Sequence, residues 1–336
     1  MRLRVNREST EELPLEDGAT ISPLWKSAQE ISAVFDPSKD IPDLSGKVAI
    51  VTGGNNGLGK ESIRQLARHN PGKIYMGARS ESKAEIAIAD IKREIPNANI
   101  CFLRLDLSSF ASIKQAATLF LSANERLDLL LNNAGIFAVP PALTEDGYEI
   151  QFGTNHMGPA LLTKLLMPLL LKTAAQPQSD VRIVNISSTA YTSAPKPGLL
   201  LSQNKTTLPD LGIVGRYGQS KLANIYFTQE LAERYPSILS VALHPGVVKT
   251  GIADGPNDQP LFTWFFRMVG KVAFVDVAAG ALNQLWASAA PRDDIKSGTM
   301  YFPVCKEHKG NAMMRDRRQV EELWKWTEDE FKKHGY

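Results

Sequence analysis

The stretch from Val48 to Gly59 has the sequence VAIVTGGNNGLG, a short apolar run that leads into a turn with four glycines. Val48, Ile50 and Val51 are β-branched and favour a buried strand. Glycine adopts backbone angles that are closed to other residues, as a tight turn requires. The stretch therefore predicts a first strand, a tight turn and the start of a helix.

The same kind of strand recurs along the chain. Short apolar runs alternate with longer amphipathic stretches, which is the arrangement of βαβ units. The sequence predicts an α/β protein with a single Rossmann-type, doubly wound parallel sheet of about seven strands and helices on both faces. The predicted strands are Val48 to Thr52, Lys73 to Gly77, Ile100 to Leu105, Leu127 to Leu131, Arg182 to Ile186, Leu239 to Leu243 and one near Met300 to Pro303. The predicted helices lie near Glu61 to His69, Ser109 to Ala123, Tyr148 to Leu171, Tyr217 to Arg234 and Val275 to Ala289.

The two ends of the chain differ in pattern. Residues 1–44 show no clear hydrophobic period and contain four prolines, so we expect an N-terminal arm there and a single domain over residues 45–336. A C-terminal helix is predicted by helical spacing of five residues: Val320, Leu323, Trp324, Thr327 and Phe331.

Composition excludes several classes of protein. The net charge of +2 and the mixing of acidic with basic residues provide no field for nucleic acid or an anionic membrane. The two cysteines, Cys101 and Cys305, are far apart, so we expect no disulfide framework and no metal site. Neither a secretory signal nor a transmembrane segment is expected. The expected location is therefore cytoplasmic.

The glycine-rich turn is a candidate phosphate site. A turn between a strand and a helix N-terminus directs backbone N–H groups towards a pyrophosphate. Such a turn is also an ordinary strand-to-helix loop, and the motif alone leaves both interpretations open. Its place at the first strand of a βαβ pattern favours cofactor binding. We assign that role to Gly53, Asn55, Asn56, Gly57, Leu58 and Gly59.

Further candidates follow the next strands. Arg79 stands where an NAD-binding protein carries an acid for the ribose hydroxyls, and a guanidinium favours the 2′-phosphate of NADP(H). A solvated arginine partly neutralised by Glu81 is the alternative. Asp106, with Leu107, follows the third strand, and Asn133, Ala134 and Gly135 follow the fourth, although such residues are also common in turns.

Tyr217 and Lys221 lie four positions apart, so on a helix they share one face. We expect the ammonium group to lower the pKa of the tyrosine, which then exchanges a proton with a carbonyl or alcohol oxygen. Ser188 at the end of the fifth strand is placed to polarise the same oxygen, and we prefer it to Ser187. Each motif alone is frequent by chance; their order behind the glycine-rich turn makes the set specific.

From about Leu44 to Phe302 the chain resembles the short-chain dehydrogenase/reductase superfamily. The shared motifs are Thr-Gly-x-x-x-Gly-x-Gly at Thr52 to Gly59, Asn-Asn-Ala-Gly at Asn132 to Gly135 and Tyr-x-x-x-Lys at Tyr217 to Lys221. Within it, the stretches around Arg79, Ser188 and His244 are similar to the retinol dehydrogenase-like branch, which favours NADP(H).

The resemblance implies more than the motifs alone. It makes Asn155 the fourth catalytic residue, beside Ser188, Tyr217 and Lys221. It implies cofactor contacts for Tyr217 and Lys221 and for four residues of the turn after the sixth strand, which are Pro245, Gly246, Val248 and Thr250. It also implies a substrate lid near residues 250–275 and a homodimer or homotetramer.

The resulting hypothesis is an NADP(H)-dependent oxidoreductase acting on a lipophilic aldehyde, ketone or alcohol. A stripe that includes Leu261, Trp264 and Met268 favours an apolar pocket, although such stripes also occur in cores and subunit contacts. The alternative function is a cofactor-binding regulator, cyclase or isomerase on the same scaffold. Such proteins usually lose a catalytic residue, whereas all four are present here. The segment from Thr189 to Arg216 is longer than in compact family members, and its role stays open.

Overall fold

In the computed structural model, the structure describes residues 35–246 and 276–336. The predicted lid near residues 250–275, the contacts assigned to Val248 and Thr250, and residues 1–34 of the predicted arm lie outside the described residues.

A twisted parallel sheet forms the centre of the molecule. Its strands lie in the order β3-β2-β1-β4-β5-β6-β7-β8. The strands are β1 (Val48–Thr52), β2 (Lys73–Ala78), β3 (Ile100–Arg104), β4 (Leu129–Asn132), β5 (Arg182–Ile186), β6 (Leu239–Leu243), β7 (Met300–Phe302) and β8 (Lys306–Glu307). The first seven are parallel to their neighbours, and β8 pairs antiparallel with β7. The seven predicted strands are therefore present. The eighth, of two exposed residues, has no apolar run that would have revealed it.

Helices cover both faces of the sheet, as predicted. The long helices of the described residues are α1 (Gly57–Ala67), α2 (Glu81–Glu94), α3 (Phe110–Ala123), α4 (Gly158–Ala174), α5 (Ile213–Arg234), α6 (Val277–Ala289) and α7 (Arg317–Lys333). Helix α2 was not predicted, because its buried apolar residues are only Ala84, Ala87 and Ile91. Helix α4 continues a helical segment, Ile150–Phe152, through a π-turn, Gly153–Met157. None of the helices in the two described ranges is long and apolar enough to cross a membrane.

Alternate residues of each strand point to opposite faces of the sheet and pack into two separate cores. Ile50 belongs to the core that α3, α4, α5 and α7 cover, whereas Ala49 and Val51 belong to the core beneath α1, α2 and α6. The strand order reverses between β1 and β4. In open sheets of this kind, ligands bind outside the carboxyl ends of the strands at that switch point.

Candidate active site

A cleft of about 470 Å³ lies at the carboxyl ends of the strands. Most of the sequence-predicted site residues line it: Gly53, Asn55, Asn56, Gly57, Leu58, Arg79, Asp106, Leu107, Asn133, Ala134, Gly135, Ser188, Tyr217, Lys221, Pro245 and Gly246. Gly59 and Asn155 are not among the lining residues but lie directly behind them. The structure therefore brings together residues that are far apart in the sequence.

The glycine-rich turn is held in a shape that only glycine allows. Gly53 and Gly57 have φ angles of +64° and +50°, in the left-handed region. A Cβ on Gly59 would lie 2.4 Å from the carbonyl oxygen of Gly53. Helix α1 begins at Gly57, whose N–H donates to the Asn56 side chain at 2.7 Å. The turn and the helix start thus form a narrow, Cβ-free cradle suited to a pyrophosphate.

Asn133 holds this turn in place. Its Nδ2 donates to the Thr52 carbonyl at 2.8 Å, and the Ala134 N–H donates to Thr52 Oγ1 at 3.0 Å. The amide of Gln284 on α6 donates to Ser62 Oγ at 2.6 Å and to Asn133 Oδ1 at 3.4 Å. Sequence reasoning missed Gln284, because a single glutamine in an apolar helix carries no signal of a contact more than 150 residues away.

Arg79 and Asp106 occupy the ends of β2 and β3. Arg79 is exposed at the edge of the cleft. Among the described residues it forms no ion pair with Glu81 or with another acid, so the alternative of an arginine paired with Glu81 gains no support. Asp106 Oδ1 accepts hydrogen bonds from the N–H and the hydroxyl of Ser108, at 2.9 and 2.7 Å. Within the described ranges, a cationic group without an acidic partner therefore stands at the position where the sequence predicts a 2′-phosphate.

Tyr217 and Lys221 point from one face of α5 into the cleft. Lys221 Nζ lies 5.4 Å from the centre of the Tyr217 ring and donates to the Ile186 carbonyl at 3.0 Å. Ser187 is 1% exposed, and its hydroxyl donates to the Lys221 carbonyl at 2.8 Å. Ser188 is only half-buried and faces the Tyr217 hydroxyl. Of the two serines, Ser188 is the one with its hydroxyl directed to the cleft.

Asn155 lies in the π-turn, a feature that is common at functional sites. Its Oδ1 accepts from the Ile136 N–H at 2.7 Å, and its Nδ2 donates to the Ile136 carbonyl at 2.9 Å and to Ser220 Oγ at 3.0 Å. A Cβ on Gly135 would come within 3.2 Å of Asn155 Oδ1 and 3.4 Å of Lys221 Nζ. Asn155 is therefore next to the lysine, with Gly135 leaving room for both.

Burial is the main cause of the pKa shifts of Tyr217 and Lys221. It raises the pKa of Tyr217 to about 12, against the opposing effect of the Ser188 hydroxyl. It lowers the pKa of Lys221 to about 8. The net pKa of Tyr217 is therefore raised, whereas the sequence predicts a lowered value, because desolvation of the phenolate is the largest effect. At neutral pH Tyr217 is a neutral phenol and Lys221 is predominantly charged.

Known proteins match the chain over most of its length. A family model described as short chain dehydrogenase matches residues 47–199. A short-chain dehydrogenase/reductase of Armillaria gallica is 39% identical over 300 residues, which cover 87% of this chain and 93% of that protein. This chain belongs to the short-chain dehydrogenase/reductase family. It is accordingly an oxidoreductase of a family that uses nicotinamide cofactors.

Two other relatives of this short-chain dehydrogenase/reductase have more specific names. Retinol dehydrogenase 12 of Mus musculus is 35% identical over 289 residues, covering 84% of this chain and 85% of that protein. An NADPH-bound carbonyl reductase from chicken fatty liver is 26% identical with a TM-score of 0.58, covering 79% of this chain and 99% of that structure. The resemblance to the retinol dehydrogenase-like branch is thereby confirmed.

Proposed function

We propose that this chain is an NADP(H)-dependent oxidoreductase that reduces a lipophilic aldehyde or ketone, or oxidises the corresponding alcohol, with Tyr217 as general acid/base. The observation that carries the proposal is the meeting of Tyr217, Ser188 and Lys221 in the same cleft as the glycine cradle. Proton donor, polarising hydroxyl and phosphate cradle thus line one continuous space.

The cradle fits a dinucleotide. A Cβ on Gly59 would lie 2.4 Å from the Gly53 carbonyl oxygen, so the start of α1 presents only backbone atoms there. The N–H groups and the helix dipole at this position favour a pyrophosphate. Arg79, unpaired among the described residues, supports a 2′-phosphate and therefore NADP(H). When bound, the nicotinamide supplies or accepts a hydride at the substrate carbon.

The protein's own side chains handle the proton. Ser188 donates a hydrogen bond to the substrate oxygen and polarises the carbonyl. Tyr217, neutral at pH 7 because burial raises its pKa to about 12, gives its proton to the developing alkoxide; general acid catalysis of this kind contributes roughly 10²- to 10⁴-fold. Lys221 stabilises the resulting phenolate. Because the resting tyrosine is protonated, it is ready to act as the acid in carbonyl reduction.

Apolar residues near the tyrosine support a lipophilic substrate. Ile136, Val139 and Ile186 line the cleft, and the Phe137 ring lies 4.7 Å from the Tyr217 ring. A retinol dehydrogenase and a carbonyl reductase are among the relatives. Together these observations favour an extended apolar aldehyde, ketone or alcohol over a sugar.

We propose that residues 45–336 form one domain after the arm of residues 1–44, with the lid near residues 250–275. We also propose a homodimer or homotetramer. The family resemblance implies subunit contact through the helices that bear Asn155 and Tyr217. The first of these continues into α4 and the second is α5, and α7 packs on both, where Lys164 pairs with Glu328 at 2.7 Å and Trp324 stacks on Phe227. A second subunit at this surface would therefore meet α7 as well.

The experiment is turnover against a panel of substrates. NADPH and NADH oxidation is followed with aliphatic, aromatic and isoprenoid aldehydes and ketones of graded length, with open-chain sugars as polar controls. The proposal predicts that kcat/KM rises with apolar length and is higher with NADPH. Tight NADPH binding without turnover of any carbonyl or alcohol would favour the regulator, cyclase or isomerase instead.

A further inference from the structure

Two buried charges lie outside the cleft. Glu149 is 0% exposed and Arg216 is 2% exposed, and Arg216 Nη1 lies 3.4 Å from Glu149 Oε1. Neither residue lines the cleft. Desolvating two charges is so unfavourable that apolar residues of similar volume often stabilise a fold as well or better. The pair therefore calls for a role other than stability.

Each residue of the pair belongs to a segment that carries the site. Glu149 caps the helical segment that leads into the π-turn of Asn155, with Oε2 accepting from the Phe152 N–H at 2.7 Å. Arg216 is the residue immediately before Tyr217 on α5. The pair thus joins the segment bearing Asn155 to the helix bearing Tyr217.

A second link lies one helical turn further along. Ser220, four positions after Arg216, accepts from Asn155 Nδ2 at 3.0 Å and donates to the Tyr217 carbonyl at 2.8 Å. Directional polar contacts therefore connect the two segments on successive turns of α5. Apolar contacts would also hold the two segments together. They would not fix the position of one segment along the other, because the hydrophobic effect is non-directional.

Residues 200–204, which precede α5, bind to the segment of Glu149 and to α5 itself. The Asn204 carbonyl accepts from the Glu149 N–H at 2.8 Å, and Asn204 Oδ1 accepts from Gln219 Nε2 at 2.9 Å. Gln219 Oε1 in turn accepts from the Leu200 N–H at 2.7 Å. Residues 200–204 therefore bind to both of the segments that the Glu149–Arg216 pair joins.

We propose that Glu149 and Arg216 are positioning residues, which fix the segment of Asn155 against the helix of Tyr217 at the spacing that proton transfer requires. Residues 200–204 bind to both segments and so reinforce this arrangement. The inference rests on the proposed function, since it assigns the pair a role in that reaction. A misplacement of about 1 Å at a reacting group can lower a rate about 100-fold, so a small slip between the segments would be visible in kcat.

The first variant is Glu149→Gln, which removes the charge and can still accept from the Phe152 N–H. We expect kcat to fall about 10- to 100-fold while the Kd of NADPH, measured by fluorescence, stays within about twofold of the parent. The Arg216→Lys variant retains the charge and should retain more of kcat. Asp128→Asn is the matched control, because Asp128 is also a buried carboxylate, paired with Arg126 and Lys47 at the opposite ends of the strands. It should lower Tm and leave kcat unchanged.

The double variant Glu149→Gln/Arg216→Met separates positioning from stability. It removes both charges, so no unpaired charge is left buried and the fold should be retained. Positioning predicts that Tm returns to near the parent value while kcat stays low. Recovery of both Tm and kcat would overturn the proposal, as would a Glu149→Gln variant whose kcat equals that of the parent.

A second readout does not depend on turnover. Competitive acetylation with peptide mass spectrometry measures the pKa of Lys221, which burial holds at about 8. If no carbonyl is turned over, this readout decides: a rise towards the ordinary value of 10.5 in Glu149→Gln, absent in Asp128→Asn, would support the positioning role although the proposed function had failed. An unchanged Lys221 pKa in that case would overturn the role.

Discussion

Lys221 Nζ lies 5.4 Å from the centre of the Tyr217 ring and donates a 3.0 Å hydrogen bond to the Ile186 carbonyl. Lys221 is 2% exposed. Its ammonium group is therefore removed from water, which is unfavourable for the charged form. The same carbonyl also accepts from Asn224 Nδ2 at 3.1 Å. The lysine is therefore dispensable for satisfying that carbonyl, and its buried charge is unfavourable for the fold.

Replacing the lysine should raise stability while removing activity. Burial lowers the pKa of Lys221 from 10.5 to about 8, so between these values the unfolded chain binds more protons and stability rises with pH. At pH 7 the buried charge therefore destabilises the folded state, by up to about 3 kcal/mol. We expect Lys221→Met to raise Tm at pH 7, to flatten the rise between the two pKa values, and to abolish turnover.

Thermal unfolding at about pH 7 and about pH 10 checks this prediction, since the gain of the variant over the parent should shrink at the higher pH. Lys172→Met, which changes an exposed lysine at the end of α4, is the control and should change Tm little at either pH. A Lys221→Met variant less stable than the parent at neutral pH would show that the ammonium group stabilises the fold.

The pH profile of carbonyl reduction should have a descending limb near the pKa of Lys221. Tyr217 stays protonated because its pKa is about 12, whereas Lys221 loses its proton around pH 8. Without the ammonium group the phenolate that forms during proton donation is less stable. We therefore expect kcat/KM for reduction to be constant near pH 7 and to fall above about pH 8. A profile constant to about pH 10 would remove Lys221 from the proton transfer.

Cofactor preference should depend on Arg79. Changing Arg79 to Asp replaces a cation with an anion at the proposed 2′-phosphate position. A charged hydrogen bond contributes about 1.5–3 kcal/mol, so NADPH affinity should fall at least about tenfold while NADH affinity changes little. Arg93→Asp is the control, because Arg93 is an exposed arginine on α2 outside the cleft. Equal losses for NADPH and NADH would show that Arg79 does not contact the phosphate.

The sequence predicted the seven strands, most of the long helices and the glycine-rich turn, because hydrophobic periodicity and turn residues are local features of the chain. Helix α2 was missed because it buries few apolar side chains, so its local hydrophobic pattern is weak. The polar contacts behind the cleft, from Gln284 to Asn133 and from Arg216 to Glu149, join residues far apart in the chain. No local pattern indicates them.

The direction of the Tyr217 pKa could not be predicted either. The spacing of Tyr217 and Lys221 indicates that they are neighbours, but it does not give the depth of the cleft. Desolvation depends on that depth, and here it is the largest effect on the pKa of Tyr217. The place of Ser188 beside the tyrosine, by contrast, followed from the rule that ligands bind at strand ends.

The Tyr217→Phe variant isolates the proposed proton donor, since it removes one hydroxyl and keeps the ring that packs on Phe137. NADPH binding by fluorescence and reduction of the best lipophilic carbonyl are measured in the parent and in the variant. We expect unchanged NADPH affinity and a kcat lower by about 10²- to 10⁴-fold. A Tyr217→Phe variant that binds NADPH and reduces the carbonyl at the parent rate would contradict it.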